Sequence, residues 1–241
     1  MADLTGKIVL VTGAGGAIGS AVVEAIRSAG GTAIATDLKR GAGIDAELDV
    51  TSEAGWQRLA ADLEREHGRL DGLVNTAGIA SVAHIEKAEF ADWRRVLSVN
   101  LDGTFLGCQT AFPLLRKKGG AIVNLSSVLG LVGSANLPAY SASKGGVSLL
   151  TKSVALHGAR YKPPVRCNAV CPAFIEGPMV DDIAGGTRDP ATVKQRLSND
   201  IPLGRLGAPA EVAKLIVYLL SEDSAFITGA DVPIDGGLTA R

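Results

Sequence analysis

Two hydrophobic patterns alternate along the chain. Short apolar runs, rich in Val and Ile, are separated by longer stretches in which apolar residues recur every three or four positions. The short runs are typical of buried strands and the longer ones of amphipathic helices. Their alternation predicts βαβ units that build a parallel sheet with helices on both faces. We therefore expect an α/β fold with a single doubly wound sheet of the Rossmann type.

The first of these units lies at the beginning of the chain. Lys7–Val11 predicts a buried strand, and Thr12–Gly19 predicts a glycine-rich turn. Apolar residues then continue at helical spacing from Ile18 to Ala29, where two glycines end the helix. The unit is therefore a strand, a tight turn and a helix in direct succession.

Six further strands and four further helices follow from the same patterns. The strands are expected at Thr32–Thr36, Glu47–Asp49, Leu70–Asn75, Ala121–Leu125, Val165–Val170 and Asp231–Ile234. The helices are expected at Glu53–His67, Glu89–Leu97, Leu101–Leu115 and Ala139–Ala159. From Ala173 to Leu206 the periodicity weakens and Pro, Gly and Asp accumulate, which indicates a helix-and-loop lid over the active site. We expect one catalytic domain spanning residues 1–241.

Composition narrows the class of partner. The formal net charge is −1 without a long basic run, so neither nucleic acid nor an anionic membrane is an expected partner. No apolar stretch is long enough to span a bilayer, which favours a small-molecule substrate. The three cysteines and three histidines lack metal-ligand spacing, so we expect no metal, buried structural thiols and a cytoplasmic location.

The glycine turn is a candidate dinucleotide site. It follows a strand and opens a helix, where free backbone N–H groups and the positive helix end attract a pyrophosphate. A ligand-free turn would also need glycine, and Ile18 stands where the generic motif has its third glycine. Asp37 favours the dinucleotide interpretation, because a carboxylate near the end of the second strand can hold the adenosine ribose. An Asp there is also an ordinary turn former.

Several motifs together resemble the short-chain dehydrogenase/reductase family. They are Thr12–Gly19, Asn75-Thr76-Ala77-Gly78, Asn100, Ser127 and Tyr140-Ser141-Ala142-Ser143-Lys144, in the order found in the family. The resemblance spans nearly the whole chain, and the interval between Ser127 and Tyr140 is the usual one. The C-terminal Asp235–Arg241 and the segments around Val165 and Pro178 are similar to bacterial secondary-alcohol and hydroxysteroid dehydrogenases.

The resemblance implies a set of site residues. The catalytic residues would be Asn100, Ser127, Tyr140 and Lys144. The cofactor, expected to be NAD, would bind Gly13, Gly16, Ile18, Asp37, Leu38, Asp49, Val50, Asn75, Ala77, Gly78, Tyr140, Lys144, Pro172 and Ile175. The substrate, an apolar alcohol or ketone, would contact Ser127, Leu137, Tyr140, Phe174 and Met179. Family members are commonly tetramers, so we expect a homo-oligomer formed through the 101–115 and 139–159 helices and the C-terminal segment.

Four positions depart from the family pattern. Ala17 replaces the middle glycine of the turn, Thr76 replaces the second Asn of Asn-Asn-Ala-Gly, and Ala173 replaces the glycine after the sixth strand. Gly177 stands where many members have a Thr that holds the nicotinamide carboxamide. That hydrogen bond is not expected in this chain.

The residues themselves fit proton transfer. Tyr140 and Lys144 are spaced i, i+4 on one predicted helix, so both side chains can face one cleft. A nearby ammonium favours tyrosinate, which would accept the alcohol proton. By resemblance, Lys144 also binds the nicotinamide ribose, Ser127 holds the substrate oxygen, and Asn100 positions a water that leads to solvent.

Two other functions remain open. A 3-oxoacyl-thioester reductase would share the fold and the catalytic residues, but such enzymes mostly use NADPH, and Asp37 would repel its 2′-phosphate. A catalytically silent NAD sensor would need no intact catalytic set, whereas this chain has all four residues. We therefore favour an NAD-dependent oxidoreductase that interconverts a secondary alcohol, such as a hydroxysteroid or an aryl or alicyclic alcohol, and its ketone.

Overall fold

A computed structural model describes residues 2–185 and 189–240, so 186–188 of the predicted lid lie outside the described residues. Its strands are β1 (Ile8–Thr12), β2 (Thr32–Asp37), β3 (Ala46–Glu47), β4 (Gly72–Asn75), β5 (Gly120–Leu125), β6 (Val165–Pro172) and β7 (Asp231–Ile234). They pair in parallel into one sheet of order β3-β2-β1-β4-β5-β6-β7. The predicted doubly wound α/β sheet is confirmed.

Eight helices connect or flank the strands in the described part of the chain. They are α1 (Ala17–Ser28), α2 (Glu53–His67), α3 (Phe90–Leu97), α4 (Gly103–Leu115), α5 (Pro138–Gly158), α6 (Pro178–Gly185), α7 (Pro190–Asp200) and α8 (Pro209–Leu220). The chain order reverses between β1 and β4, which lie side by side in the sheet. At such a switch point ligands bind beyond the carboxyl ends of the strands.

Apolar side chains cover both faces of the sheet, as a parallel sheet requires. On one face Val9 and Val11 of β1 pack with residues of α1 and α8, including Ile216. On the other face Leu10 belongs to a cluster with Trp56 of α2 and residues of α4. Because neighbouring residues of β1 point to opposite faces, one apolar run supplies both cores.

The predicted boundaries of these elements are correct to within two residues, and two of the differences are informative. β3 is Ala46–Glu47 instead of Glu47–Asp49, because the Asp49 carboxylate turns the chain by accepting the Thr51 N–H at 2.9 Å. Before α4, residues Ser98–Asp102 form a π-helical turn, so the helix predicted from Leu101 begins at Gly103. Such turns are frequent at functional sites, and this one contains Asn100.

α8 was not predicted. It is amphipathic, with an exposed face that includes Lys214 and Tyr218 and a buried face that includes Val212, Ile216 and Val217, and it contacts α1, β5 and β6. Pro209 begins the helix, and the Glu211 carboxylate accepts the N–H of Ala208 at 2.8 Å. The predicted lid region contains α6 and α7. No helix among the described residues is both long and apolar enough to cross a membrane.

Candidate active site

The glycine turn brings the ends of β1 and β4 together. Gly13 has φ +64°, and a Cβ there would lie 2.7 Å from the backbone of Ala77. A side chain is therefore excluded both by conformation and by space. The Thr76 hydroxyl, directly after β4, donates to the carbonyl of Thr12 at the end of β1. Thr76 thus makes a specific contact although it departs from the family motif.

The N-terminus of α1 is open to an anion. Gly16 is the N-cap residue and offers no capping side chain, while Ala17 and Ile18 line a cavity of about 700 Å³. The first backbone N–H groups of a helix have no intrahelical partner, and they carry partial positive charge. This donor set fits the pyrophosphate of a dinucleotide.

Asp37 lies beside this turn. Its carboxylate accepts the backbone N–H of Gly15 at 2.8 Å and the N–H of Leu38 at 2.7 Å. The two bonds hold the carboxylate at the carboxyl end of β2, next to the glycine turn. Leu38 is exposed. The position fits a carboxylate that accepts ribose hydroxyls.

The cavity extends from the glycine turn to the first turns of α5. Glycine and polar residues line the end at the glycine turn. Ser127, Tyr140 and Lys144 line the end at α5. Apolar side chains form much of the remaining wall: Val82, Leu129, Leu137, Phe174, Met179, Val180 and Ile183. A molecule that reaches from Gly16 to Tyr140 would therefore occupy one continuous cleft.

Tyr140 and Lys144 lie one helical turn apart on α5. The Lys144 Nζ is 5.5 Å from the centroid of the Tyr140 ring, and it donates to the carbonyl of Leu125 at 2.6 Å. Burial lowers the pKa of Lys144 to about 8, and burial raises the pKa of Tyr140 to about 12. Each shift favours the neutral form of its group. A hydrogen bond with Ser127 opposes this effect by lowering the pKa of Tyr140.

Ser127 is held where β5 gives way to a 3₁₀ turn at Val128–Gly130. Its buried hydroxyl accepts the N–H of Leu129 at 3.1 Å and is 3.4 Å from the carbonyl of Pro172, to which it can donate. The strands β5 and β6 are neighbours, so the sheet itself sets this geometry. The serine hydroxyl is therefore fixed within reach of the tyrosine hydroxyl.

Asn100 is buried and acts as a clamp. Its side chain accepts the N–H of Ile79 at 2.8 Å and donates to the carbonyl of Ile79 at 2.9 Å. It also donates to the hydroxyl of Ser143 at 3.0 Å. The π-helical turn thus joins the chain after β4 to α5, immediately before Lys144.

The structure brings most of the predicted site residues together. Those that line the cavity are Gly13, Gly16, Ile18, Gly78, Ser127, Leu137, Tyr140, Lys144, Pro172, Phe174, Ile175 and Met179. Asp37, Leu38 and Ala77 lie beside the glycine turn, and Asn100 lies behind it.

Besides Asp37, Leu38 and Ala77, three further predicted cofactor residues do not line the cavity, namely Asp49, Val50 and Asn75. The Asp49 carboxylate accepts hydrogen bonds from Thr51, and Val50 is packed in the core. The Asn75 amide donates to the buried Asn124 side chain at 2.9 Å. Their roles toward a cofactor remain predictions.

Two supporting residues were missed. The Ser126 hydroxyl donates to the carbonyl of Lys144 at 2.9 Å. A Cβ on Gly130 would lie 2.8 Å from the same carbonyl, so the 3₁₀ turn packs tightly on α5. Ser126 could have been predicted, because it lies directly beside Ser127 in the sequence. No local pattern in the sequence marks Gly130. Among the described residues, no cluster of three His, Cys, Asp or Glu side chains is suited to hold a metal ion.

Known proteins resemble this chain in sequence over nearly its whole length. The family model described as enoyl-(acyl carrier protein) reductase matches residues 13–239. The NADP-dependent (R)-specific alcohol dehydrogenase of Lentilactobacillus kefiri is 37% identical over 253 residues, which cover 99% of this chain and 98% of the relative. The 3-oxoacyl-acyl-carrier-protein reductase of Thermotoga maritima is 37% identical over 250 residues, 98% of each chain.

A solved structure also matches. The ligand-free aldohexose dehydrogenase of Thermoplasma acidophilum superposes with a TM-score of 0.92 at 36% identity, covering 98% of this chain and 95% of that one. The fold and the sequence therefore agree with these relatives over nearly the whole chain. This chain belongs to the short-chain dehydrogenase/reductase family of nicotinamide-dependent oxidoreductases.

Proposed function

We propose that this protein is an NAD-dependent dehydrogenase that interconverts a secondary alcohol and its ketone. The observation that carries the proposal is the single cleft shared by the glycine turn and by Ser127, Tyr140 and Lys144. When bound, the nicotinamide takes up a hydride from the alcohol carbon or returns one to the ketone carbon. The protein's own residues handle the oxygen and its proton.

In the proposed oxidation, Ser127 binds the substrate oxygen and Tyr140 accepts its proton. An ammonium on Lys144 favours the tyrosinate form, because opposite charges stabilise each other in a cleft of low dielectric. In the reverse direction Tyr140 returns the proton to the developing alkoxide. The clamp made by Asn100 keeps Ser143, and with it the first turns of α5, in register with the end of β4.

Asp37 supports NAD as the cofactor. Its carboxylate is fixed beside the turn, where it would accept the two ribose hydroxyls and repel a 2′-phosphate. One relative is named as NADP-dependent, so the preference for NAD over NADP is a separate proposal that rests on Asp37. The cations Lys39 and Arg40 lie nearby in sequence, and the Arg40 guanidinium donates to the carbonyl of Asp45 at 3.1 Å.

The apolar cavity wall supports a substrate with an apolar body, held by Leu137, Phe174 and Met179 beside Tyr140. We propose that residues 173–206 form the lid over it. An oxoacyl-thioester reductase is the second candidate, because a relative of that name matches the whole chain. A carboxylate at Asp37 disfavours the NADPH such reductases mostly use.

The test is a turnover screen. Reduction of NAD and of NADP is followed by absorbance with aliphatic, alicyclic, aryl and steroid secondary alcohols, and the reverse reaction is tested with 3-oxoacyl thioesters. We expect turnover of alcohols with NAD and a loss of about 10²–10⁴-fold in Tyr140→Phe, which retains the ring but lacks the proton-transfer group. Faster turnover of oxoacyl thioesters with NADPH would select the second candidate.

Cofactor binding separates the enzyme from a silent sensor. Calorimetry should give similar NAD affinities for the wild type and Tyr140→Phe, since the substitution removes one hydroxyl. NAD binding by the wild type without turnover of any substrate in the screen would contradict the proposed chemistry.

We also propose that the protein is a homo-oligomer, with a tetramer expected from the family. Phe105 of α4 and Leu149 and Leu156 of α5 are exposed, and the latter two share one helix face. Light scattering of Leu149→Lys/Leu156→Lys should give a smaller species than the wild type. Ile85→Lys, which replaces an equally exposed apolar residue, is the control. The three buried free thiols support a reducing compartment such as the cytoplasm.

A further inference from the structure

Gly177 touches the glycine turn at the point where the lid segment, residues 173–206, leaves the sheet. Its φ is +142°, a backbone conformation that favours glycine. A Cβ built on Gly177 would lie 2.6 Å from the Cβ of Ala17. Apart from chain neighbours, no other heavy atom of the described residues lies within 4 Å of that position. The Ala17 methyl group therefore faces the backbone of Gly177 directly.

Gly177 immediately precedes α6, the first helix of the lid segment. Its carbonyl accepts the N–H of Val180 at 3.0 Å and the N–H of Asp181 at 3.1 Å. The helix that follows, α6, supplies Met179 and Ile183 to the cavity wall. A displacement of Gly177 would therefore move part of the surface that faces the substrate.

We infer that Ala17 and Gly177 form the seat on which the lid segment rests against the dinucleotide turn, and that Gly177 is a positioning residue for α6. The inference rests on the proposed function for its catalytic consequence. Both residues line the cavity, on α1 and on the lid segment respectively. Both also depart from the family pattern, and the structure shows that the two departures are in contact.

The size of the overlap gives the consequence of a side chain at this position. Two non-bonded carbon atoms pack at about 3.5–4.0 Å, so a methyl group on Gly177 forces the two segments apart by about 1 Å. A misplacement of this size is enough to disturb a reacting geometry. Without the Ala17 methyl the added group would meet no other atom within 4 Å, and only the backbone strain of φ +142° would remain.

The seat is tested first in the ligand-free protein, by hydrogen exchange of the amides in α6. Gly177→Ala should speed their exchange about tenfold or more, and Ala17→Gly/Gly177→Ala should reverse the part of this change that the overlap causes, since the strain at φ +142° stays in both variants. Gly204→Ala is the matched control, because Gly204 lies in the lid segment at φ +71° with no heavy atom within 4 Å of its added Cβ. It should leave exchange in α6 unchanged.

The functional consequence is tested by calorimetry with NAD. Gly177→Ala should weaken binding about tenfold, and the double variant should recover at least half of the loss on a logarithmic scale. Unchanged exchange in Gly177→Ala, or no recovery in the double variant, would overturn the inference. If the wild type binds neither NAD nor NADP, the proposed function is wrong. The hydrogen-exchange experiment still tests the contact between Ala17 and Gly177, because it needs no cofactor.

Discussion

The carboxylate of Asp37 accepts a hydrogen bond from the backbone N–H of Gly15 at 2.8 Å, across the edge of the sheet where β1 and β2 end. This bond fixes a negative charge beside the turn that we propose as the dinucleotide site. In the proposed function, cofactor choice depends on a side chain whose position is set by the backbone of the turn itself.

Replacing Asp37 by Ser and Leu38 by Arg should move the preference from NAD toward NADP by about 1–3 kcal/mol. The change removes the repelling charge and adds a planar donor for a phosphate. The measurement is kcat/KM for both cofactors at one ionic strength. Glu47→Ser, at the position paired with Asp37 in β3, is the control and should leave the ratio unchanged. Equal use of NAD and NADP by the wild type would contradict a ribose role for Asp37.

Ser127→Ala should shift the pH dependence of alcohol oxidation. Because the hydrogen bond with Ser127 lowers the pKa of Tyr140, its loss raises that pKa further. The rising limb of the kcat/KM profile should move to higher pH by about half to one pH unit. The matched control is Ser141→Ala, since the buried Ser141 hydroxyl has no hydrogen-bond partner among the described residues. A profile that does not move in Ser127→Ala would exclude the proposed contact.

Lys144→Met should stabilise the ligand-free protein at neutral pH while impairing its activity. Burial holds the pKa of Lys144 at about 8 in the folded state, against 10.5 as its ordinary value. The unfolded chain therefore binds more protons between these values, so wild-type stability rises with pH across this window. Below pH 8 the wild type carries the full cost of the buried ammonium, about 3 kcal/mol.

The gain in Lys144→Met should be about 2 kcal/mol at pH 7, because the Leu125 carbonyl loses its partner at a cost of about 1 kcal/mol. It should fall as pH rises above 8 and become a loss of up to about 1 kcal/mol near pH 10.5, where the ammonium cost is gone and only the lost contact with the Leu125 carbonyl remains. Denaturant unfolding at pH 7, 8.5 and 10 measures it. Lys118→Met, at an exposed position, should change stability by less than about 0.5 kcal/mol throughout. A gain in Lys144→Met that is independent of pH would refute this account.

Asn100→Ala should lower the free energy of unfolding by about 2–4 kcal/mol. The substitution removes the partner of the partly buried N–H and carbonyl of Ile79. It also removes one contact of the buried Ser143 hydroxyl, which still donates to the carbonyl of Tyr140. Thermal and denaturant unfolding measure the loss, and Asn136→Ala at an exposed position is the control. If Asn100→Ala loses activity but no stability, the clamp is not the main role of this residue.

The sequence by itself determined the features that depend on neighbouring residues. Short apolar runs indicate buried strands, and apolar residues at spacings of three or four indicate amphipathic helices. Their alternation predicts a parallel sheet with helices on both faces. The strand, turn and helix at Gly13–Gly19 are local, and so is the one-turn spacing that places Tyr140 and Lys144 on one face of α5. These predictions needed only distances along the chain.

Tertiary structure alone decided contacts between distant segments. The bonds from Asn100 to Ile79, the packing of Gly130 on α5 and the contact of Ala17 with Gly177 each join residues that no local pattern relates. The packing of α8 against α1, β5 and β6 is likewise a contact between distant segments, although the apolar face of α8 recurs at helical spacing in the sequence. The physical reason is that close packing is specified by both partners at once, whereas a pattern along the chain describes only one of them.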